Sequence, residues 1–180
     1  MVRPYTKRLE ILILKAKCIV AHPDDCVIAA RPYIDTHPEY QWHIVYLTYT
    51  ADDDRAKEIS AYWNGRGITT EFLGFVDDYT DQQTQKFNFW NDMTATVALR
   101  EACQDADLLL THNADGDYGH IHHILVNRAV QSMGIKTVYF ASTFNYNVRY
   151  VTGDLELTKF PLHRNVIEQM TDINCGLYIE

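Results

Sequence analysis

Cysteine is scarce in this 180-residue chain: Cys18, Cys26, Cys103 and Cys175 lie far apart, and none belongs to a Cys-x-x-Cys pair. That excludes a disulfide framework and a thiolate zinc knuckle. Positive charge is also short, with 16 Lys and Arg against 24 Asp and Glu and a formal net charge of −8. The sign is wrong for general attraction to phosphate backbones or anionic lipid, so nucleic acid and membrane surfaces are not expected partners. No stretch reaches the roughly 18 apolar residues of a membrane span. Ile11-Leu12-Ile13-Leu14, enclosed by Glu10 and Lys15, is too short for a signal-peptide core, and the expected location is cytoplasmic. Missing too are a Gly-x-Gly-x-x-Gly after a strand, a Walker-type Gly-x-x-x-x-Gly-Lys and a Gly-x-Ser-x-Gly elbow. The usual signatures of nucleotide binding and serine hydrolysis are therefore absent.

What is present is an ordinary folded composition, 47% hydrophobic and 22% charged. A chain of this length removes about 70% of its extended surface from water on folding, so its core needs no staples. No internal repeat or linker divides it, and residues 1–180 are expected to form a single domain.

Apolar runs alternate with charged, helically spaced stretches. Cys18-Ile19-Val20-Ala21 predicts a short buried strand stopped by His22-Pro23, because proline cannot donate to a ladder and pushes its predecessor toward extended geometry. His43 to Thr50 is a β-branched and aromatic second strand. Asp52-Asp53-Asp54 offers N-cap carboxylates to a helix stopped by Asn64-Gly65 and Gly67. Thr70 to Phe75 reads as a third strand, Asn91 to Gln104 as a helix, and Asp107 to Thr111 as a fourth strand. Ile121 to Met133 is a helix ended by Gly134, and Ile135 to Ala141 a fifth strand. Asp77 to Phe89 is polar, aromatic and long for a connection, the kind of loop that borders a site. Val148 to Val151 and Leu155 to Phe160 flank Thr152-Gly153-Asp154 as a hairpin, and Pro161 to Met170 looks helical. Tyr146 and Tyr150 are expected to pack rather than to line a pocket. The expected fold is α/β, a Rossmann-like sandwich with a mostly parallel sheet of about five strands, helices on both faces, and a C-terminal hairpin plus helix.

In such sheets ligands collect at the carboxyl ends of strands. Two unusual clusters fall there. Ala21-His22-Pro23-Asp24-Asp25 follows the first strand, and Thr111-His112-Asn113-Ala114-Asp115-Gly116-Asp117-Tyr118-Gly119-His120-Ile121-His122-His123 follows the fourth. A hydrolytic zinc site needs three nitrogen or oxygen ligands and one open position. His22 and Asp25 are three apart, so on a tight turn or first helical turn they can face one ion, and His120 and His123 have the same relation at a helix start. The spacing permits a His-Asp-His site with one further carboxylate and one imidazole beside it. Helix caps and surface histidines are the commoner fate of either cluster alone; their coincidence at two strand exits argues for metal.

Ala21-His22-Pro23-Asp24-Asp25 together with Tyr118-Gly119-His120-x-x-His123 resembles the LmbE-like, or PIG-L, family of zinc-dependent deacetylases acting on N-acetylglucosamine-type substrates. The resemblance runs from the first strand into the helix after His123. It implies that His22, Asp25 and His123 bind Zn2+ and that Asp24 is the general base toward the attacking water. His120 would stabilise the oxyanion or protonate the departing amine, with Tyr118 near the carbonyl; if positively charged, it would hold the developing negative oxygen. Arg55 looks like the family's substrate-facing arginine, against the alternative of a helix-surface ion pair with Glu58. Family members commonly read His-Pro-Asp-His where this chain has His120-Ile121-His122-His123, which leaves His122 as an alternative third ligand. Cys26 stands where many relatives carry glutamate, and Ala51-Asp52-Asp53-Asp54 makes the rim acidic, which disfavours anionic substrates.

The implied activity is hydrolysis of the N-acetyl group of an N-acetylglucosamine-type amino sugar or conjugate, a small-molecule substrate. Two other readings stand beside it: a zinc amidase acting on a different N-acyl group of a glycosylated metabolite, and a metal-holding but inactive Rossmann-like binding module. Imidazole and carboxylate also suit other divalent transition metals. Homo-oligomerisation is left open.

Overall fold

The structure, a computed structural model, describes residues 13–77, 92–140, 156–171 and 178–179, with side chains except at 92, 169–171 and 178–179. Strand β1 (Lys15–Val20) lies at its centre, and Cys18, Ile19 and Val20 are fully buried. An unbroken apolar end of this kind suits a parallel strand covered on both faces. β1 pairs in parallel with β2 (Gln41–Thr48) on one side and with β4 (Leu108–Thr111) on the other. β3 (Thr69–Phe75) extends the sheet beyond β2, and β5 (Thr137–Phe140) extends it beyond β4, both in parallel. The short β6 (Tyr178–Ile179) adds antiparallel to β5, giving the order β3-β2-β1-β4-β5-β6.

Alternate strand residues face opposite cores, as the two-residue period of a strand requires. Cys18, Ile44, Tyr46 and Leu110 meet Ile34 of α1 (Arg31–Thr36), Trp63 of α2 (Asp54–Asn64) and Ile167 of α6 (Arg164–Thr171). Ile19, Val45, Leu47 and Leu109 meet Leu99 of α3 (Asp92–Cys103) and Val126 and Val130 of α5 (Ile121–Gln131). Helices thus cover both faces, and each fully buried Leu or Ile contributes about 1.5–3 kcal/mol. The α/β Rossmann-like sandwich expected from the sequence is the observed architecture.

Several local expectations change. After His22-Pro23 the chain enters a helical turn, but a π-helical one (Cys26–Ala30) that runs into α1, with the N–H groups of Val27 and Ile28 both donating to the Asp24 carbonyl at 3.0 Å. All five residues of that turn are buried, so no amphipathic period marks it in the sequence. Asp53 takes the N-cap position of α2, but its carboxylate accepts from the Thr50 N–H and Oγ1 at 2.7 and 2.8 Å and makes no cap bond to the helix. In the expected hairpin, Leu157–Lys159 is a 3-10 turn instead of a strand. Burial of Phe160 against Tyr62, with Pro161 next in the chain, draws the backbone down onto α2. The other arm at 148–151, Tyr146, Tyr150 and most of the 77–89 loop lie outside the described residues.

This topology positions the site. From β1 the chain winds outward through β2 to β3, and from β4 it winds the opposite way to β5. Where the winding direction reverses, a crevice opens at the carboxyl ends of the two central strands. Both histidine-bearing clusters enter that crevice. The exit of β1 is gripped from both neighbours, because Thr48 donates its Oγ1–H to the Ala21 carbonyl at 2.7 Å and Thr111 donates its own to the Ile19 carbonyl at 2.7 Å.

Candidate metal centre

His22 leaves β1 directly, and Asp25 opens the π-helical turn. The His22 N–H donates to Oδ2 of Asp25 at 2.8 Å, and its Nδ1 lies 3.2 Å from the same oxygen. His123, in the first turn of α5, brings Nε2 to 3.3 Å from Oδ2 of Asp25 and to 3.3 Å from Nδ1 of His22. Three donor atoms from two distant segments thus form a nearly equilateral triangle. Burial alone would depress the His22 imidazole, but the charge and hydrogen bond of Asp25, with Asp77 and Asp24, raise it to about 10. Burial is likewise outweighed at His123, which Asp25 and Asp117 raise to about 9. Against its own burial, Asp25 is held well below the usual carboxylate range by His123 and His22.

His122 is turned the other way. Its Nδ1 lies 3.0 Å from Nε2 of His22, on the ring edge opposite Asp25, and Oδ1 of Asp77 stands 3.4 Å from that same Nε2. Burial, then the His22 charge, push His122 down to about 4. Of the two candidates for the third vertex, His123 reaches the Asp25 side and His122 does not.

His120 is the N-cap of α5, where its Nδ1 accepts the His122 N–H at 3.2 Å; a neutral His120 consequently carries its proton on Nε2. Its ring centroid stands 4.7 Å from that of His22 and 4.6 Å from that of His123. Burial, followed by the charges on those two rings, pushes His120 down to about 2. In the metal-free arrangement these causes favour the neutral ring, an N–H donor, over the positively charged one. Half-buried Tyr118 stands edge-on to the rings of His120 and His123 at 5.9 and 5.3 Å.

Asp24 is raised above the ordinary carboxylate value by burial and by the neighbouring Asp25 charge. Its Oδ1 lies 3.4 Å from Nη2 of Arg55, whose Nη1 donates to the Tyr49 hydroxyl at 2.7 Å. The alternative pairing of Arg55 with Glu58 gives way to this arrangement. Glu58 instead accepts the Leu162 and His163 N–H groups at 2.9 and 3.2 Å and lies 2.6 Å from Nδ1 of His163.

His112 and Asp117, buried residues of the second cluster, are given no role by the sequence. His112 accepts the Ala21 N–H on Nε2 at 3.0 Å, and its Nδ1 lies 2.5 Å from Oδ2 of Asp117. His112 Nε2, already accepting the Ala21 N–H, stands 3.6 Å from Asp25, and Asp25, His112 and His123 form a further group with donor atoms close enough together to hold a metal ion. Asp117 occupies φ 65°, ψ −62°, in a single turn α4 (Gly116–Gly119), a conformation that costs a non-glycine residue about 1–3 kcal/mol. The close approach of Ile124, whose Cγ1 would meet a Cβ at position 116 at 2.7 Å, requires Gly116 in the same turn. The sequence signal for Asp117 is a carboxylate between glycines in a histidine-rich segment, which by itself looks like a surface loop.

The donor set fits zinc. Ligands at about 2.0–2.1 Å around a tetrahedral zinc stand about 3.3–3.4 Å from one another, close to the 3.2, 3.3 and 3.3 Å edges of the His22, Asp25 and His123 triangle. Three ligands leave the fourth corner of the tetrahedron for water or substrate.

Residues 18–133 match the PIG-L family, described as GlcNAc-PI de-N-acetylase. An uncharacterized protein of Acanthamoeba polyphaga mimivirus is 25% identical over 153 residues, covering 78% of this chain and 66% of the relative. A deacetylase of teicoplanin biosynthesis, solved with teicoplanin, aligns with a TM-score of 0.57 at 13% identity over 71% of this chain and 70% of that one. A conserved protein of Thermus thermophilus aligns at 0.58 and 13% identity over 93% and 94% of the two chains. GalB, the 4-carboxy-2-hydroxymuconate hydratase of Pseudomonas putida, aligns at 0.51 and 18% identity over 72% and 67%. At these identities the structural likeness speaks for the fold, and this chain spans 66% of the length of the viral relative. The family match runs from β1 through α5 and includes all three vertices of the triangle, and by it the chain belongs to the PIG-L family.

Proposed function

We propose that this protein is a zinc-dependent N-deacetylase that removes the acetyl group from an N-acetylglucosamine-type amino sugar or conjugate. The observation that carries the reading is the triangle of His22 Nδ1, Asp25 Oδ2 and His123 Nε2, with the carboxylate of Asp24 one residue from its Asp25 vertex. Zinc in such a site supplies Lewis acidity and lowers the pKa of water toward ~7. Asp24, its basicity raised by burial and by Asp25, takes the proton of the attacking water. Arg55 steadies that carboxylate through Nη2 and is itself fixed by Tyr49. The neutral Nε2–H of His120 donates to the oxygen that gains negative charge as the amide carbon becomes tetrahedral. When the C–N bond breaks, the proton held by Asp24 passes to the nitrogen, and acetate and a free amine leave.

Elemental analysis of the purified chain, read beside acetate release from N-acetylglucosamine and its conjugates with zinc present, tests the proposal. Expected are bound zinc and release of acetate, with longer N-acyl analogues cleaved more slowly. Preference for the longer acyl groups would reassign the substrate, and cleavage of none of them with zinc bound would sink the enzyme reading.

A further inference from the structure

The geometry points to Asp117 as the positioning residue of this centre: its carboxylate holds His123 in the tautomer that turns the Nε2 lone pair toward zinc, and His112 locks the carboxylate in place. The inference deepens, and rests on, the reading of His123 as a zinc ligand.

Oδ2 of Asp117 lies 3.0 Å from Nδ1 of His123, on the side of the ring away from the triangle. An ionised carboxylate only accepts, so Nδ1 carries a proton, and when His123 gives up its other proton to bind a metal the nitrogen left bare is Nε2. The same oxygen lies 2.5 Å from Nδ1 of His112, whose Nε2 is committed to the Ala21 N–H at 3.0 Å. His112 therefore also has its proton on Nδ1. The second oxygen, Oδ1, accepts the Asn113 N–H at 3.2 Å. With all three contacts buried and Asp117 itself 2% exposed, the carboxylate has little freedom to rotate.

The backbone supplies an independent reason. Asp117 sits at φ 65° between Gly116 and Gly119, in a region where glycine would be at ease. A charged, buried, non-glycine residue kept there indicates that the side chain is needed. The contacts also close a circuit. The Ala21 amide, next to His22, leads through His112 and Asp117 to His123, and from His123 across the triangle back to His22. The exit of β1 and the start of α5 are held in register through His112 and Asp117, neither of which is a vertex of the triangle.

The test uses the full-length chain. Zinc affinity of the wild type, Asp117→Asn and Asp117→Gly is measured by competition with a chromophoric chelator. The expected result is a wild type that binds zinc and variants that bind it about 10- to 100-fold more weakly. Variants as tight as the wild type overturn the role of Asp117 and leave the metal centre standing, whereas a wild type that takes up no zinc removes both. Glycine adopts the observed φ without strain, so Asp117→Gly separates loss of the carboxylate from loss of the turn. Histidine side-chain nitrogen NMR of the wild-type zinc protein needs no substitution. Protons on Nδ1 of both His112 and His123 support the proposal, and a proton on Nε2 of His123 overturns it.

Discussion

Nε2 of His22 lies 3.0 Å from Nδ1 of His122, so the imidazole that faces Asp25 with one nitrogen is held by a second histidine with the other. His122 occupies the place where the family resemblance leads one to expect aspartate, and Asp77 supplies a carboxylate 3.4 Å from the same Nε2. His122→Ala is expected to retain zinc, to weaken its affinity about tenfold, and to change the pH dependence of turnover. Loss of all zinc in dialysed protein would instead make His122 a ligand.

Asp24 and His123 separate chemistry from metal binding. Asp24→Asn is expected to keep zinc content near the wild-type level while lowering acetate release by about 10²–10⁴-fold, since the base is lost and the donors are not. His123→Ala removes a vertex of the triangle and should lower zinc occupancy in elemental analysis. Normal occupancy in that variant would refute the assignment.

Zinc affinity should rise with pH. In the metal-free protein His22 titrates at about 10 and His123 at about 9, so both carry protons at neutral pH on or beside the nitrogens a metal needs. Binding releases up to two of these protons, and the apparent affinity should increase by up to about 100-fold per pH unit until the pH nears those values. Both values lie above the 6.5 of a free imidazole, so the stability these groups give the metal-free fold is complete below that pH and is lost as the pH rises through about 9 and about 10. Chelator competition at several pH values, with a flat profile as the contrary outcome, checks the affinity.

The turn that carries Asp117 is sterically exacting. Gly116 has φ 66°, and a Cβ there would meet Ile124 Cγ1 at 2.7 Å, whereas Gly134 has φ 69° with nothing within 4 Å among the described residues. Gly134→Ala is expected to cost about 1–2 kcal/mol from backbone strain alone, and Gly116→Ala more, because Ile124 must also move. Urea unfolding of the two variants side by side gives the comparison, and equal midpoints would contradict it.

Much of this arrangement follows from local residue order. β-branched and aromatic runs specify β2 and β3, Gly65 caps α2 while α5 closes at Ser132 before Gly134, and the pairs His22/Asp25 and His120/His123 stand out by spacing at two strand exits. The π-helical turn after Asp25 was hidden because all its residues are apolar or small and buried, which erases the period that reveals a helix. The 3-10 turn before Phe160 was hidden because a short apolar run is equally compatible with a strand until its packing partner, Tyr62, is known.

By itself the sequence determined the alternation of strands and helices and the residue types that meet at the crevice, since both depend on neighbours along the chain. The sequence also led to the expectation that the exits of β1 and β4 lie side by side, as they do, whereas the tertiary structure alone decided which nitrogen of each imidazole faces which oxygen. Ring orientation is set by partners from distant segments: the Ala21 amide fixes His112, Asp117 orients His123, and the opposing Asp25 and His122 fix His22.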